Sequence, residues 1–308
     1  MDYTLLFVQV LNGVQLGLLL FLVASGLTLV FGILDFVNLA HASIYMVGAF
    51  ICASLTLYLG NFLLAVLVAV PLTGIIGFGL ERIVARNLYD KDHLDHVLGT
   101  FGLILVLDTL VHIIWGPEGI SVPLPAWLNG QVELFEGAVI PSYRLLIIAT
   151  GLAVAAGLVW LVNYTRLGML IRAGASNRTM VSALGIDIKT LFALVFALGA
   201  MLAGLAGMLV SPITEASIGM GGQIIITAFV VIIVGGIGSM KGAFIAAIVV
   251  GLIDTLGRSF LDNIFKLFMS ENAAETSAPA VSAMAIYILM AVVLAVKPQG
   301  LFPPKVRG

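Results

Sequence analysis

The chain has 308 residues, of which 61% are hydrophobic and 10% are charged, with a net charge of −2 and a mean hydropathy of +1.17. Soluble domains carry about a quarter charged residues, and a soluble fold has too little core to bury this much apolar surface. The composition therefore excludes a soluble enzyme, a nucleic-acid-binding module and a disordered chain. The single cysteine, Cys52, excludes a disulfide framework or a thiolate metal cluster within one chain.

Most of the chain reads as membrane-spanning segments, each of which needs about 20 mostly apolar residues. The N-terminus lacks the basic residues of a cleaved signal peptide, so the first run is interpreted as a retained helix. We predict an all-α polytopic membrane protein in which residues 1–308 form one domain with about nine transmembrane helices; eight and ten remain alternatives. Residues 32–42 are interpreted as a broken or re-entrant piece. The predicted spans are 5–31, 43–60, 62–80, 97–115, 144–163, 191–211, 223–238, 242–257 and 281–296.

Lysine and arginine predict the orientation, because loops rich in these residues stay in the cytoplasm. If the N-terminus is outside, 11 of the 14 basic residues fall on the inner side, and only Arg144, Arg258 and Lys266 do not. We therefore expect the N-terminus outside and the C-terminus in the cytoplasm. The inner basic residues are Arg82, Arg86, Lys91, Arg166, Arg172, Arg178, Lys189, Lys241, Lys297, Lys305 and Arg307.

Two longer loops are predicted on the outer side. Residues 116–143 contain three glutamates, one of them Glu136, and four prolines that prevent a continuous helix. Residues 258–280 begin with apolar side chains at helical spacing, which favours a short helix lying on the outer membrane surface.

Small residues recur at four-residue spacing in two spans, as expected where helices pack closely in lipid. Gly13 and Gly17 form such a pair in the first span. A longer stripe in the sixth span consists of Gly199, Ala203, Gly207 and Ser211. Both patterns indicate helix packing and neither identifies a function.

The segment GGIGSMKGA, residues 235–243, contains four glycines between two short apolar runs. Gly-rich breaks in membrane helices are where transporters place binding and gating elements. This reading makes Gly235, Gly236 and Gly238 candidates for a substrate pathway. A tight cytoplasmic turn between two helices explains the pattern equally well.

Polar side chains interrupt the first apolar runs. Asn12 and Gln15 lie in the first span, and Asn38 and His41 follow it. Neutral amides and an imidazole suit a pathway for a polar solute without net charge. They suit equally well hydrogen bonds that tie a helix break to its neighbours.

Ionisable residues within predicted spans are costly and are therefore functional candidates. Asp108 and His112 are four residues apart, so they could pair on one helix face as a proton relay or as a structural bond. A proton relay would make the protein an ion-coupled secondary carrier. No sequence motif for a metal site or a nucleotide-binding loop was found.

The inner loop at residues 164–190 is too long for a turn. Within it Met180, Ala183 and Leu184 fall at helical spacing, and Gly185 suits a helix C-terminus. A short helix with an apolar and a basic face indicates a docking surface for another protein. An amphipathic helix resting on anionic lipid is the alternative.

Six segments in order resemble one family, the LivH-type permease subunit of bacterial ABC importers for branched-chain amino acids. The resemblance covers about residues 5–303. The segments are NGVQLG (12–17), FGILDFVNLAHASIYMVGAF (31–50), ERIVAR (81–86), RAGASNRTMVSALGI (172–186), VGGIGSMKGAF (234–244) and KPQGLF (297–302).

The resemblance implies a subunit of the inner membrane that is not itself an enzyme and holds no cofactor. An external binding protein would deliver leucine, isoleucine or valine, and two cytoplasmic ATPases would use the ATP. A second related permease subunit would complete the pore, as a heterodimer or a homodimer. It also implies that residues 172–186 form a coupling helix seated in an ATPase groove. The coupling residues would be Arg172, Arg178, Met180, Ala183, Leu184 and Gly185.

The chain departs from the family pattern at two places. The family usually reads N-F-A-H-G-E where this chain has NLAHAS at residues 38–43, which bears on the solute, since relatives carry urea, short amides or aromatic acids. The family commonly has an acidic residue at the position of Ser176, which bears on the charge pattern of the ATPase contact.

Overall fold

The computed structural model describes residues 3–135 and 138–303. Lys305, Arg307 and Glu136 lie outside these ranges. The described chain forms eleven α-helices and one two-stranded sheet. The helices are α1 Tyr3–Leu34, α2 His41–Leu59, α3 Phe62–Ile83, α4 His93–Trp115, α5 Ser142–Tyr164, α6 Arg166–Ser176, α7 Arg178–Ala183, α8 Ile188–Thr214, α9 Met220–Gly235, α10 Met240–Phe265 and α11 Glu271–Val296.

Each of the nine predicted spans coincides with one helix, which confirms the all-α polytopic architecture. Within the described ranges, eight helices are long and apolar enough to cross a membrane: α1–α5, α8, α10 and α11. The remaining span is α9, which has 16 residues. At 1.5 Å per residue it covers about 24 Å, less than the hydrocarbon thickness of about 30 Å.

The predicted break after the first span is confirmed. Helix α1 ends at Leu34, and α2 begins at His41. Asp35 adopts a left-handed conformation (φ 50°), which turns the chain out of the helix. The extended segment that follows is held to α4, because the Leu39 amide donates to the Thr100 hydroxyl over 3.2 Å.

The prediction of a short surface helix within 258–280 is wrong. Helix α10 continues without a break to Phe265, and α11 already begins at Glu271. The charged residues do not end the helix because they pair along it: Arg258 with Asp254 at 3.0 Å, and Lys266 with Asp262 at 2.9 Å. Such pairs four residues apart stabilise a helix.

The loop at residues 116–141 contains a β-hairpin that the sequence did not predict. Strand β1 (Gln131–Phe135) pairs antiparallel with β2 (Ala138–Pro141), with Gln131 opposite Pro141. Helix α5 then begins at Ser142, whose amide and hydroxyl both donate to the Gly130 carbonyl. The prolines prevent a continuous helix here, as predicted, but they permit strands.

The chain divides into two compact units. Unit 1 comprises residues 1–21, 126–152 and 229–308, and unit 2 comprises residues 22–125 and 153–228. Three of the four unit boundaries fall within α1, α5 and α9, and the fourth lies between residues 125 and 126, in the loop after α4.

In unit 2, helix α8 packs against α1 and α2 through small residues, as its stripe predicted. A Cβ atom on Gly199 would lie 3.1 Å from the Gly26 carbonyl oxygen, and one on Gly48 would lie 2.5 Å from the Gly204 Cα. Gly207 lies directly against the backbone of Tyr45. Side chains larger than hydrogen would force the helices apart.

In unit 1, the predicted pair of small residues on α1 packs against α10. A Cβ atom on Gly13 would lie 3.0 Å from the Leu252 Cα, and one on Gly17 would lie 2.8 Å from the Ala247 carbonyl oxygen. The packing role expected of Gly13 and Gly17 is confirmed.

Candidate functional site

The loop between α5 and α8 folds into two short helices with defined ends. The Thr165 hydroxyl accepts a hydrogen bond from the Gly168 amide and caps α6. The Asn177 Oδ1 accepts one from the Met180 amide over 2.9 Å and caps α7. Gly185 adopts φ +84° just after α7. This conformation strongly favours glycine, so the predicted helix C-terminus at Gly185 is confirmed.

Helix α7 exposes the apolar residues that the spacing singled out. Met180 is 58% and Leu184 is 73% exposed, and Ala183 is exposed beside them. We call these three residues the α7 patch. Val181 faces the other way and is buried at 4% exposure. The helix is therefore anchored by one side and presents an apolar surface on the other.

The two arginines of this loop have different surroundings. Arg172 is exposed. Arg178 is half-buried, and its guanidinium lies 5.4 Å from the centre of the Phe192 ring. A cation over an aromatic face is attracted by the ring electrons. Arg178 thus fastens the start of α7 to α8, a contact that the sequence did not predict.

Aromatic residues continue this anchor across one end of unit 2. The Phe192 ring meets Tyr89 edge to face at 5.5 Å, and Tyr89 meets Phe36 in the same way at 5.4 Å. Burial raises the pKa of Tyr89, and the nearby negative charge of Glu81 raises it further. The residues after α1, the loop after α3 and the start of α8 therefore meet at one place.

A buried ion pair joins the same end of the unit. Glu81 has a fully buried side chain and pairs with Arg86 at 2.9 Å. The Arg86 Nη2 also donates to the Lys189 carbonyl oxygen at 3.3 Å. Asp187 caps α8 by accepting from the Lys189 and Thr190 amides. Hydrogen bonds from Thr190 lower the pKa of Asp187.

The opposite end of unit 2 is closed by a backbone bridge between loops. The Ile120 amide donates to the Ala216 carbonyl at 2.8 Å, and the Ala216 amide returns a bond of 3.0 Å to Ile120. The connections of unit 2 thus alternate between its two ends, as successive membrane crossings require.

In unit 1, the Gly-rich segment forms a tight connection between α9 and α10. Gly236 and Gly238 have φ values of 104° and 79°, and the Ser239 hydroxyl caps α10 by accepting from the Gly242 amide. Gly235 lies against the Gly242 backbone, where a Cβ atom would be 2.5 Å from the carbonyl carbon. This geometry agrees with the alternative prediction of a tight turn between two helices. A role in the substrate pathway stays a prediction.

The segment KPQGLF, residues 297–302, folds back onto this connection. The Leu301 amide donates to the Val234 carbonyl at 2.9 Å, and the Phe302 amide donates to the Gly235 carbonyl at 3.0 Å. The Lys241 ammonium lies 5.6 Å from the centre of the Phe302 ring. The last described residues therefore hold the Gly-rich turn in place.

The four polar pathway candidates fall into the two units. In unit 1, Asn12 donates to Gln9 at 3.1 Å and accepts from Arg144 Nη1, while Gln15 is buried at 7% exposure. Asn12 is therefore engaged within the chain. Arg144 forms no ion pair with an acidic side chain in the described ranges.

In unit 2, Asn38 and His41 differ in their bonding. His41 is buried, and its Nε2 donates to the Val23 carbonyl oxygen at 3.2 Å. Asn38 is 1% exposed, yet neither its amide oxygen nor its amide nitrogen has a hydrogen-bond partner among the described residues. An unpaired buried amide costs about 1–3 kcal/mol. A solute or water is the group that would satisfy it.

The two ionisable residues proposed as a proton relay remain apart. Asp108 is half-buried and His112 is exposed, and no ion pair joins them in the part of the chain that the structure describes. Asp254, which lies in the predicted span 242–257, is paired with Arg258.

Comparison with protein families matches residues 9–294 to the family described as "Branched-chain amino acid transport system / permease component". The match covers most of the chain. The chain belongs to this family.

Individual relatives agree with this membership. The chain is 31% identical to the high-affinity branched-chain amino acid transport system permease protein LivH of Salmonella typhimurium and to that of Escherichia coli K12. It is 29% identical to the corresponding protein BraD of Pseudomonas aeruginosa. In each case the similarity covers 84% of this chain and 88% of the relative. No solved structure matches the chain. The protein is a multi-pass membrane permease, and an ion-coupled carrier is not favoured.

Two charged residues of this permease escaped sequence reasoning. Glu81 was assigned to an inner loop but is fully buried at the end of α3. The motif ERIVAR held the signal, because Glu81 and Arg86 flank a helix end closely enough to pair. Arg144 was read only as an outer boundary charge. Its contact with Asn12 joins residues 132 positions apart, and no local pattern reveals such a contact.

Proposed function

We propose that this permease is the membrane subunit of an ATP-driven importer that moves leucine, isoleucine or valine into the bacterial cell by alternating access. It lies in the inner membrane with its N-terminus outside, as the distribution of basic residues predicts. The names of its relatives support branched-chain amino acids as the solute.

The partners follow from this assignment. A second permease subunit completes the pore, an external binding protein delivers the solute, and two cytoplasmic ATPases hydrolyse ATP. The chain itself then performs no catalysis and holds no cofactor. Its task is to pass a conformational change between the ATPases and the solute pathway.

The observation that carries the proposal is the α7 patch. Met180, Ala183 and Leu184 are exposed on a capped helix that Arg178 and Val181 fasten to the rest of unit 2. An exposed apolar surface at the basic, inner end of a membrane protein fits a groove in a soluble partner. We assign this surface to the ATPase, with Arg172 and Gly185 at its edge.

The fixed position of α7 explains how a docked ATPase acts on the membrane helices. Arg178 lies on Phe192 of α8, and Phe192 reaches Phe36 through Tyr89. Phe36 belongs to the segment that joins α1 to α2. Movement of α7 is therefore passed by direct contact to α8 and to the break that contains Asn38.

Asn38 supports a solute pathway in this region. Its amide is buried without a partner among the described residues, so a passing solute or its water gains hydrogen bonds there. His41, Asn12 and Gln15 remain pathway candidates. Unlike Asn38, His41 and Asn12 already have partners within the chain.

The test is Ala183→Asp, which places a carboxylate in the centre of the α7 patch. Burying this charge without a partner costs about 3 kcal/mol or more, which corresponds to roughly a hundredfold weaker binding. We expect the variant to insert normally but to lose both the co-purifying ATPase and leucine uptake. Full retention of both would contradict the docking assignment.

Ser176→Asp provides a matched control. It adds the same carboxylate at an exposed position of α6 in the same loop, outside the α7 patch and at a place where the family commonly has an acidic residue. We expect this variant to keep the ATPase and uptake. The solute is tested on the purified complex by measuring which of leucine, isoleucine, valine or urea, bound to its binding protein, stimulates ATP hydrolysis.

A further inference from the structure

Helices α10 and α11 are longer than the membrane is thick. Each has 26 residues, which at 1.5 Å per residue is about 39 Å, against a hydrocarbon layer of about 30 Å. The apolar part of α11, residues 278–296, by itself covers about 28 Å. The polar residues 271–277 that precede it therefore extend about 10 Å further.

The two helices form a hairpin whose tip is the turn at residues 266–270. Gly257 faces Ser282, where a Cβ atom would lie 2.7 Å from the Ser282 hydroxyl. Because the helices run in opposite directions, this contact places residue 262 of α10 beside residue 277 of α11. Residues 262–277 therefore all lie beyond the apolar part of α11. The headgroup layer adds only about 5–8 Å on each side, so the turn reaches past it into water.

The tip exposes large apolar side chains at that height. Leu267 is 76% and Phe268 is 81% exposed. Lipid explains exposed apolar residues along the middle of a membrane helix, but it does not reach this turn. Apolar residues held in water at a projecting tip are typical of a surface that another protein covers.

The tip carries a cluster of ion pairs and is negatively charged. The Lys266 Nζ lies 2.9 Å from Asp262 Oδ2, 3.2 Å from Glu275 Oε1 and 3.8 Å from Glu271 Oε1. One ammonium thus ties the ends of both helices together, and the three carboxylates leave a net charge of −2. The partner that fits has an apolar depression with a basic rim.

The side of the membrane follows from the other end of α10. That end carries Lys241 beside Phe302 and the Gly-rich turn, and the basic residues place it in the cytoplasm. The tip therefore faces outside, where the importer of the proposed function has one soluble component. Resting on that function, we infer that Leu267 and Phe268, within the acidic frame of Asp262, Glu271 and Glu275, form a docking surface for the external binding protein.

The test measures ATP hydrolysis by the complete complex in nanodiscs as its leucine-loaded binding protein is added. Leu267→Asn and Phe268→Asn each remove a central apolar contact. We expect about tenfold more binding protein to be needed for half-maximal stimulation, because such central residues dominate interface energy. Assembly and the basal hydrolysis rate should equal those of the wild type.

Val296→Asn is the matched control for Leu267→Asn. Val296 is 73% exposed at the other end of α11, away from the tip. The control should respond to the binding protein as the wild type does. Glu271→Lys should weaken stimulation at low salt, and its difference from the wild type should shrink as salt is raised, because a basic rim is then screened.

Two results would overturn the inference. Unchanged stimulation of both tip variants would show that the binding protein docks elsewhere. Loss of the second permease from the tip variants would show that this subunit covers the tip. A wild-type complex that no loaded binding protein stimulates would instead overturn the proposed function itself, together with this inference.

Discussion

Arg86 neutralises Glu81 at the end of α3 and, with the same guanidinium, holds the Lys189 carbonyl at the start of α8. Glu81 is completely buried, whereas the Arg86 side chain is 28% exposed. One side chain therefore joins the end of α3 to the start of α8, where the loop that contains α7 ends. The pair is part of the frame that keeps α7 in place.

Arg86→Ala should lower the free energy of unfolding by about 3 kcal/mol, because it leaves the Glu81 carboxylate buried and unpaired. Glu81→Gln should cost less, since the guanidinium that remains can reach water. The control is Arg82→Ala, whose guanidinium lies over the Phe78 ring at 4.7 Å without an acidic partner in the described chain. Melting in detergent measures all three, and equal losses for Arg82→Ala and Arg86→Ala would contradict the buried-pair account.

Asn177→Ala should fray α7 by removing its cap, at a cost of about 1 kcal/mol. The Met180 amide would then exchange its hydrogen faster, and the ATPase would co-purify less well. Asn177→Asp keeps an oxygen that can accept this bond and should behave like the wild type. If Asn177→Ala and Asn177→Asp retain the ATPase equally, the order of α7 does not matter for docking.

Gly236→Leu should abolish uptake while the protein still inserts. The φ of 104° is strained for any residue with a side chain, and the added Cβ would lie 3.1 Å from the Gln299 carbonyl oxygen. Gly79→Leu is the control, because the Gly79 position has open space. Normal transport by Gly236→Leu would show that the turn only connects two helices.

Arg144 and Asn12 should be energetically coupled. The bond from the guanidinium to the Asn12 amide oxygen is charge-assisted, and such bonds contribute about 1.5–3 kcal/mol. Arg144→Leu and Asn12→Leu should each destabilise the protein by about 2 kcal/mol. The double variant should lose at least about 1 kcal/mol less unfolding free energy than the sum of the two single losses. Strict additivity of the melting data would show that the two side chains do not interact.

The sequence predicted the spans well because their signal is local. Apolar length alone places a helix, and the four-residue spacing of Gly199, Ala203 and Gly207 was enough to predict a packing face that the structure confirms. The end of α7 at Gly185 was predicted for the same reason, since a left-handed residue after a short apolar repeat is a local feature.

The features that the sequence did not predict have two causes. Some depend on contacts between segments that are distant in sequence, and others on whether charged residues end a helix or pair along it. Arg178 was predicted only as a coupling residue, because nothing near it in sequence indicates its contact with Phe192. The surface helix at 258–280 was predicted because the charges there resemble the end of a span. Asp254 pairs with Arg258 and Asp262 pairs with Lys266, and these pairs instead keep the segment helical as far as Phe265.

The backbone bonds from Leu301 and Phe302 to the Gly-rich turn have a practical consequence for handling the protein. Through these bonds the last described residues hold the α9–α10 connection, and the bonds can form only after α11 has been synthesised. A chain cut before Leu301 would keep every span but would lack these two hydrogen bonds. Affinity tags and fluorescent fusions therefore belong beyond residue 303, and a nested set of C-terminal deletions should show a sharp loss of uptake between residues 303 and 300.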